Sequence, residues 1–388
     1  MYKRNALAMQ TKIPYQICKR CIMDTTDPVI QFDSEGTCGY CKNFNNNILP
    51  EWKFGKDRAS ELEALLLRIR GDGKGREFDC ILGLSGGLDS AYLAHVAVKD
   101  FGLRPLLFHV DVGWNTRGSV SNIEKVVDGL GMHLYTEVVN WNEMKDLQRA
   151  FFLSGIPDQD YPQDIAYISM LYKFARQHKI KYILNGGNYS TECCREPEAW
   201  GGYLGVDKWL VNAIHGKYGS ITLDTFPLVD ILRYKILYKY IFRISSIYLL
   251  NYIPYTRELG ESTLASLYGC EPFQHKHHES IFTRFYEDYW LPKRFGFEKR
   301  RAHFSSLIMT GQMTRDEAID RISRPELSEE QHARDFEYVA DKLDFSAEEF
   351  RHIFNAERHT YREFRNKRNL IIAGARLLRR VGLEKRLF

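Results

Sequence analysis

From Glu77 onward, short apolar runs alternate with segments whose apolar residues recur every three to four positions. The runs 78–84, 105–112, 133–139 and 181–184 predict buried strands, and the segments 90–101, 122–130 and 164–178 predict helices between them. Such alternation is typical of an α/β fold with a mostly parallel, doubly wound sheet. Ligands of these sheets bind at the carboxyl ends of the strands, so we expect the functional residues just after each strand.

The flanking segments follow other patterns. Residues 12–50 are rich in Cys, Asp, Gly and Asn and show little periodicity, whereas residues 58–70 carry leucines at helical spacing. After about Leu232 the strand signals fade and helical patterns run to the end. We therefore predict an N-terminal metal-binding module (12–50), a helical linker (51–75), an α/β domain (76–231) and a helical C-terminal region (232–388) that completes the active site.

Composition places few limits on function. The chain has 388 residues, 44% of them hydrophobic, and a formal net charge of +4, which gives no indication of nucleic-acid binding. Met1–Thr11 lacks the apolar core of a secretory signal. The apolar stretch Ile236–Ile253 contains Lys239 and Arg243, so it predicts a buried or surface-packed helix, with a membrane-surface helix as the alternative. A cytoplasmic protein without a transmembrane segment is expected.

The most informative motif is the string Ser85-Gly86-Gly87-Leu88-Asp89-Ser90, which joins the first predicted strand to a helix. Glycines let the backbone approach a phosphate and aim N–H groups at it, and the helix N-terminus attracts anions. The Ser85 and Ser90 hydroxyls can donate further bonds, whereas Asp89 holds Mg²⁺ or orients the loop. The Gly-Lys-Ser/Thr ending of a Walker A loop is absent.

This string resembles the loop of the PP-loop ATP pyrophosphatases, which grips the pyrophosphate of ATP while a substrate oxygen attacks the α-phosphorus. Two further positions match that superfamily: Asp111, at the end of the second predicted strand, and the pair Gly186-Gly187, after the fourth. The resemblance implies that these residues line the nucleotide.

Four cysteines form two tight pairs, Cys18-x2-Cys21 and Cys38-x2-Cys41. In a cytoplasmic chain this spacing suits a tetrahedral Zn²⁺, and four thiolates leave no open position, so the metal is expected to be structural. An iron–sulfur cluster and two unrelated reduced pairs are the alternatives. The adjacent Cys193 and Cys194 are expected to be core thiols, although a reactive role on their loop is a second possibility.

A basic, aromatic-rich segment covers residues 275–303. Because a PP-loop site needs cations to neutralise the departing pyrophosphate and the loop supplies none, we expect a cationic clamp here; an ordinary solvated surface is the alternative. The candidates for the clamp are Lys293, Arg294, Lys299 and Arg300. His275, His277 and Glu279 are candidates for binding metal or substrate or for transferring protons.

Four segments occur in this order along the chain: the Cys-Lys-Arg-Cys-Ile-Met-Asp module, the Ser-Gly-Gly loop, Lys-His-His-Glu-Ser and Lys-Arg-Phe-Gly-Phe-Glu-Lys-Arg-Arg-Ala-His. Together they resemble the N-acetyl sugar amidotransferases of bacterial surface-polysaccharide and pseudaminic-acid pathways. The likeness runs from about Cys18 to Ile319. It implies ATP-dependent conversion of an acetamido group on a sugar to an acetamidino group. It also implies that ammonia comes from a separate glutaminase with a barrel partner, related to the imidazole glycerol phosphate synthase pair.

The residues agree that ammonia comes from elsewhere. Tyr2 occupies the position where an N-terminal-nucleophile glutaminase has its cysteine, and no cysteine stands in a Gly-x-Cys-x-Gly elbow. Two rival functions stay open: a PP-loop tRNA thiolase, in which Cys193 would handle sulfur, and a non-catalytic zinc-ribbon binding protein. The thiolase is disfavoured by the lack of a second, C-terminal cysteine pair and of a strongly basic domain.

Overall fold

The structure is a computed structural model that describes residues 14–52, 56–201, 203 and 206–380. The interpretation of Met1–Thr11 lies outside the described residues. So do positions 12 and 13 of the predicted cysteine module, 53–55 of the predicted linker and the last eight residues of the chain.

The centre of the molecule is a five-stranded parallel sheet. Its strands are β1 (Cys80–Gly83), β2 (Pro105–Asp111), β3 (Leu134–Val138), β4 (Tyr182–Leu184) and β5 (Ser245–Ile247), in the order β3-β2-β1-β4-β5. All four residues of the central strand β1 are buried, as a strand covered on both faces requires. The four strands expected from the sequence are present, and the α/β fold with a parallel sheet is confirmed.

Helices cover both faces of the sheet. On one face β1 and β2 pack with Trp141–Ser154 and Tyr161–Gln177, and on the other with Lys56–Asp72, Leu88–His95 and Arg117–Leu130. The remaining helices are Gly39–Asn43, Tyr189–Glu192, Lys208–Tyr218, Arg257–Tyr268, Ile281–Phe285, Arg300–Met309, Arg315–Ile322, Glu329–Lys342, Ala347–Asn355 and Arg368–Arg380. The chain also forms π-helices at Phe44–Ile48, Val96–Asp100, Arg233–Ile241 and Tyr286–Phe295. It forms short 3-10 helices at Glu198–Trp200, Leu249–Tyr252 and Tyr361–Glu363.

The stretch 236–253 is not the single helix that its apolar pattern predicts. The helix Arg233–Ile241 ends near Arg243, which has a positive φ of 54°, and the chain then enters β5. Sheet hydrogen bonds explain the change, because Ser245 N donates to Lys181 O at 2.8 Å and Asn185 N to Ile247 O at 2.9 Å. The backbone N–H and C=O groups along the edge of β4 would otherwise lack partners in the sheet, and this segment pairs with them as strand β5. No helix in the described part of the chain is long and apolar enough to cross a membrane.

The C-terminal helices enclose a second, aromatic core. Its buried side chains include Phe285, Trp290, Phe336 and Phe350, and each of these four is at most 6% exposed. This region is tied to the carboxyl edge of the sheet through the loop after β2. Thr116 N donates to Glu279 O at 3.0 Å, and Ile281 N donates to Trp114 O at 2.9 Å. The residues around Glu279 are therefore fixed beside Ser85–Ser90, the predicted phosphate loop.

Candidate active site and cysteine cluster

The loop after β1 holds itself in shape through its two serines. The Ser85 and Ser90 hydroxyl oxygens lie 3.1 Å apart, Ser90 Oγ donates to Gly87 O at 3.1 Å, and Gly87 N donates to Ser85 Oγ at 3.2 Å. Ser85 is exposed, and the helix Leu88–His95 begins directly behind it. The Ser85 hydroxyl and the N-terminus of this helix therefore lie together, an arrangement that suits an anion.

Both glycines of the loop are required by close contacts. Gly86 has a φ of +84°, and a Cβ there would lie 2.8 Å from Ser119 Cβ. A Cβ on Gly87 would lie 2.6 Å from Glu279 Oε1. The Glu279 carboxylate thus lies directly against the loop, although the two residues are far apart in sequence.

Asp89 is held from two sides. Its Oδ1 accepts a 2.5 Å hydrogen bond from the Tyr255 hydroxyl, and the Lys276 ammonium lies 3.5 Å from its Oδ2. Lys276 also pairs with Glu192. Burial would lower the pKa of Lys276, but Glu192 and Asp89 outweigh it and raise that pKa, so the lysine is charged. A cation is therefore present at the loop, supplied by the C-terminal region.

Asp89 fits a magnesium ligand only together with a substrate. Mg²⁺ is usually held by one or two carboxylates plus phosphate oxygens and water, and Asp89 supplies one carboxylate beside the phosphate loop. Among the described residues, the four cysteines alone bring three or more ligand atoms within 4.8 Å of one another. The loop is thus compatible with an ion that arrives with ATP.

Residues near the ends of β2 and β4 shape the surroundings of the loop. His109 Nδ1 lies 2.7 Å from Leu84 O, so it carries the proton, and its Nε2 accepts from Asn115 at 3.0 Å. Asp111 accepts from Gly113 N at 2.8 Å and therefore shapes the turn after β2. A Cβ on Gly186 would lie 3.3 Å from Ser90 N, so the Gly186-Gly187 turn packs against the start of the helix that follows the loop.

Two cavities meet beside this loop. The smaller, of about 480 Å³, is lined by Ser85, His109 and Glu279, and the larger, of about 1760 Å³, lies between the cysteine module, the segment after β4 and the C-terminal region. The residues that line both are Glu196, Tyr203, His277, Glu287 and Lys299. The predicted candidate His277 therefore stands where the cavities join, with Nδ1 3.9 Å from Glu279 Oε1.

Lys299 is the cation at this junction. Its ammonium lies 3.0 Å from Glu196 Oε2 and 3.2 Å from Glu287 Oε1. Burial opposes its charge, but the surrounding carboxylates prevail and raise the pKa of Lys299 well above its usual value. Of the basic residues of segment 293–300, Lys299 alone lines both cavities.

The structure places Arg294 away from the loop. Its guanidinium is 2% exposed and donates to the main-chain carbonyls of Ile353, Phe354 and Glu357, the last at 3.2 Å. Burial lowers the pKa of Arg294 to about 10. Arg294 thus fastens the C-terminal helices, and its expected position in a phosphate clamp is not the one it occupies.

The other predicted cations are also separated. Lys293 is half-exposed and pairs with Glu329 at 3.4 Å on the surface. Arg300 lines the larger cavity, where it pairs with Glu298 at 2.7 Å and Glu326 at 3.2 Å. His275 stands on the same wall, 2.9 Å from Glu326. The basic segment is therefore divided between the cavity walls and the scaffold.

The four N-terminal cysteines converge as the spacing predicts. All are fully buried, with sulfur–sulfur distances of 3.9 Å for Cys18 and Cys41 and 3.6 Å for Cys21 and Cys38. Four ligands around one tetrahedral Zn²⁺ lie about 3.8 Å apart, given a Zn–S distance of about 2.3 Å. The cluster therefore has the size of a site for a single metal ion.

The C-terminal region holds the cysteine module in place. Arg315 donates to the carbonyls of Cys18 and Cys21, at 3.0 Å and 3.2 Å, and Arg301 donates to Ile22 O at 2.9 Å. Cys193 and Cys194 pack against the module. Burial raises the pKa of Cys193 to about 11 and that of Cys194 well above its usual value, which makes both poor nucleophiles.

Sequence reasoning missed several residues of the site. These are Asn115, Asp158, Asp160, Asp164, Glu192, Glu196, Tyr255, Lys276 and Glu287. Two signals were available: Lys276 lies inside the histidine segment, and the three aspartates cluster before and within a predicted helix. The others carry no motif, because only folding brings them to the loop.

Comparison with known protein families finds a match in the C-terminal region of the chain. Residues 279–378 match the model of the C-terminal domain of WbpG-like LPS biosynthesis proteins. This segment of the chain is similar to that domain of the WbpG-like proteins. It begins at Glu279, the residue that contacts the phosphate loop, and includes Lys299. The family resemblance seen in the sequence is confirmed on this segment. No curated protein matches the chain.

Several solved structures resemble the chain at low similarity. An NH3-dependent NAD synthetase from Campylobacter jejuni has 15% identity and a TM-score of 0.27; the match covers 35% of this chain and 59% of that one. An NMN synthetase from Francisella tularensis has 16% identity and a TM-score of 0.27; the match covers 58% of this chain and 92% of that one. A U34-tRNA thiolase from Methanococcus maripaludis, solved with its [4Fe-4S] cluster, has 14% identity and a TM-score of 0.33. That match covers 78% of this chain and 82% of the thiolase.

Proposed function

We propose that this chain uses ATP to adenylate the acetamido group of an N-acetylated sugar and then replaces the amide oxygen with the nitrogen of ammonia. The observation that carries the proposal is the contact between Glu279 and Gly87. It joins the WbpG-like segment to the Ser-Gly-Gly loop in one site. The product is an acetamidino sugar for a surface polysaccharide or a flagellin glycan, formed with release of AMP and pyrophosphate.

The loop and two lysines serve the first half-reaction. Ser85, Ser90 and the N-terminus of the helix after them bind the phosphates of ATP. Lys276 and Lys299 neutralise the charge that develops as pyrophosphate leaves, a role that favours the transition state over bound ATP. Asp89 would hold Mg²⁺ together with the phosphates, and that ion would neutralise further charge.

The larger cavity is the proposed binding site of the sugar. Its wall carries the cationic side chains Arg195, Arg257, Arg300 and Arg321. These suit a sugar that bears a phosphate or carboxylate group. His277, at the junction, stands where a sugar in the larger cavity would meet ATP at the loop, so it is the proposed proton carrier.

The cysteine cluster is proposed to hold one structural Zn²⁺. Sulfur–sulfur distances of 3.6 Å and 3.9 Å support a single tetrahedral ion. In a [4Fe–4S] cluster each thiolate binds a different iron, and the sulfurs would be further apart. Bound metal would fix the module against Arg301 and Arg315, and through them the helix that carries Arg300.

Ammonia is proposed to come from a glutaminase bound to a cyclase-like barrel partner, and nucleic acid is not expected as a partner. Cys193, Cys194, Cys80 and Cys270 are buried, and the pKa of each is raised by burial. Such thiols do not suit nucleophilic attack on glutamine.

The test is ATP–pyrophosphate exchange by the purified chain with Mg²⁺ and candidate acetamido sugars. Adenylation is reversible, so a true substrate makes labelled pyrophosphate enter ATP before any ammonia is added. The same sugar in which a free amine replaces the acetamido group is the matched control. Exchange that is equal with and without sugar contradicts the proposed function.

A further inference from the structure

The helix Arg233–Ile241 has one face packed against the protein and one face open. Its inner face lies on a helix that covers the sheet, where the rings of Tyr234 and Tyr238 lie 5.0 Å and 5.2 Å from the ring of Tyr172. Tyr238 is buried in the core on that side of the sheet. These aromatic contacts fix which side of the helix faces outward.

The outer side of this helix carries a row of apolar side chains. Leu232, Ile236 and Ile241 follow one another at intervals of four and five residues, which is the spacing of one face in a helix with i→i+5 hydrogen bonds. Each of the three is more than half exposed. Single exposed apolar side chains are ordinary on a protein surface, whereas a row of them on one face indicates a binding surface.

The charges around this row all have one sign. Residues 231–256 contain Arg233, Lys235, Lys239 and Arg243 and no aspartate or glutamate. A short helix with apolar side chains on its open face and basic residues beside them is typical of helices that lie in the surface of a membrane. The apolar side chains enter the boundary of the acyl chains there, and the basic side chains attract anionic headgroups.

The helix Arg368–Arg380, near the C-terminus, repeats this pattern. Ile371 and Ala375 are buried on its inner face, whereas Leu370 and Leu377, one face apart from them, are more than half exposed. Seven residues separate these two leucines, which places them on the same side of an α-helix. A second helix therefore shows apolar side chains on its outer face.

The two helices begin beside each other. The Lys367 ammonium, one residue before the second helix, lies 3.5 Å from the Asp230 carboxylate, two residues before Leu232. Residues 364–380 contain six lysines and arginines and no acidic residue. Both helices thus combine exposed apolar side chains with an excess of positive charge in one region of the molecule.

Other occupants suit this surface less well. Two copies of the chain joined through the same face would bring like charges together, which opposes association. Nucleic acid would match the charge, but its phosphates would leave the exposed leucines and isoleucines without apolar contact. A bilayer that contains anionic lipid meets both requirements.

We propose that the outer faces of the helices Arg233–Ile241 and Arg368–Arg380 bind the surface of an anionic membrane. The larger cavity reaches the same region, because Tyr248 lines it. Tyr248 lies five residues beyond Arg243, and five residues of chain span at most about 18 Å. Docking therefore holds the mouth of this cavity close to the bilayer.

The experiment measures how the purified chain sediments with lipid vesicles. The chain should bind vesicles of phosphatidylcholine mixed with phosphatidylglycerol, less strongly as salt is raised, and should not bind phosphatidylcholine alone. The double variant Ile236→Ser/Ile241→Ser should lower the partition coefficient about tenfold or more, and Lys235→Gln/Lys239→Gln should do the same. Leu377→Ser tests the second helix and should lower it several-fold.

Matched controls remove equally exposed side chains elsewhere. Leu67→Ser/Leu267→Ser takes away two exposed leucines, and Lys99→Gln/Lys293→Gln takes away two exposed lysines. Both controls should bind vesicles like the unaltered chain. Circular dichroism checks that every variant is folded.

Three outcomes would overturn the proposal: no binding to anionic vesicles, equal binding to neutral and anionic vesicles, or normal binding by Ile236→Ser/Ile241→Ser. A dimer in solution that this variant abolishes, without vesicle binding, would show that the face joins two copies instead. The assay contains neither ATP nor sugar, so its outcome is separate from that of the proposed function.

Discussion

The Lys276 ammonium lies 3.5 Å from Asp89 Oδ2, although 187 positions separate the two residues in the chain. Asp89 belongs to the phosphate loop, and Lys276 comes from the segment that leads into the WbpG-like domain. Glu192, which follows β4, holds the same lysine from the other side. Three distant parts of the chain thus fix one charge at the position where phosphates are expected.

The first prediction follows from this pair. Lys276→Met should reduce sugar-dependent ATP–pyrophosphate exchange by about a hundredfold, as removal of an electrostatic transition-state group does. Because the loss acts on the transition state, kcat should fall more than the KM for ATP rises. Lys125→Met, which removes a cation that pairs with Glu271 at 3.9 Å, is the control and should keep normal exchange. A normal kcat in Lys276→Met would exclude the lysine from the reaction.

The second prediction concerns Asp89 itself. Asp89→Ala should abolish adenylation, with a loss of about a hundredfold or more, while circular dichroism shows an intact fold. Tyr255→Phe removes only the 2.5 Å hydrogen bond to Asp89 and should have a smaller effect. Near-normal AMP production by Asp89→Ala would contradict the role assigned to the loop.

The third prediction separates two neighbouring cations. Arg294→Met leaves three main-chain carbonyls without their donor, so it should lower the free energy of unfolding by about 3 kcal/mol or more. Lys293→Met removes one exposed pair and should change it by less than about 1 kcal/mol. Urea denaturation measures both. Equal stabilities would show that the buried contacts of Arg294 matter little.

For the cysteine cluster, elemental analysis of the purified chain should find about one zinc per molecule. Cys38→Ser should lose the metal and destabilise the fold, because a structural zinc contributes directly to folding free energy. Cys193→Ser alters a buried thiol outside the cluster and should retain the metal. Iron as the main metal, or a folded protein without any metal, would refute the zinc assignment.

The last prediction concerns the nitrogen source. With ATP, Mg²⁺ and a sugar that supports exchange, the purified chain should form product from ammonium salts but not from glutamine. The physical reason is that burial raises the pKa of the four thiols outside the cluster, so Cys80, Cys193, Cys194 and Cys270 do not suit attack on glutamine as thiolates. Mass spectrometry would detect a product one dalton lighter. Turnover with glutamine by the chain alone would reveal an unrecognised glutaminase site.

The sequence by itself determined the local parts of this molecule. Strand–helix alternation predicts β1 to β4, because a buried strand and an amphipathic helix each leave a periodic signal within a few residues. The Ser85–Ser90 string specifies its own turn, since two hydroxyls and two glycines close it internally. The cysteine spacing likewise predicts the convergence of four sulfurs.

Tertiary structure decided what surrounds the loop. A row of basic residues does not show which cations meet substrate: Lys299 reaches both cavities, whereas Arg294, five positions earlier, is buried among carbonyls. The edge strand β5 forms because β4, about sixty residues earlier in the chain, has backbone donors and acceptors that no other strand pairs with. Such contacts depend on distance in space, which the periodicity of a single segment does not record.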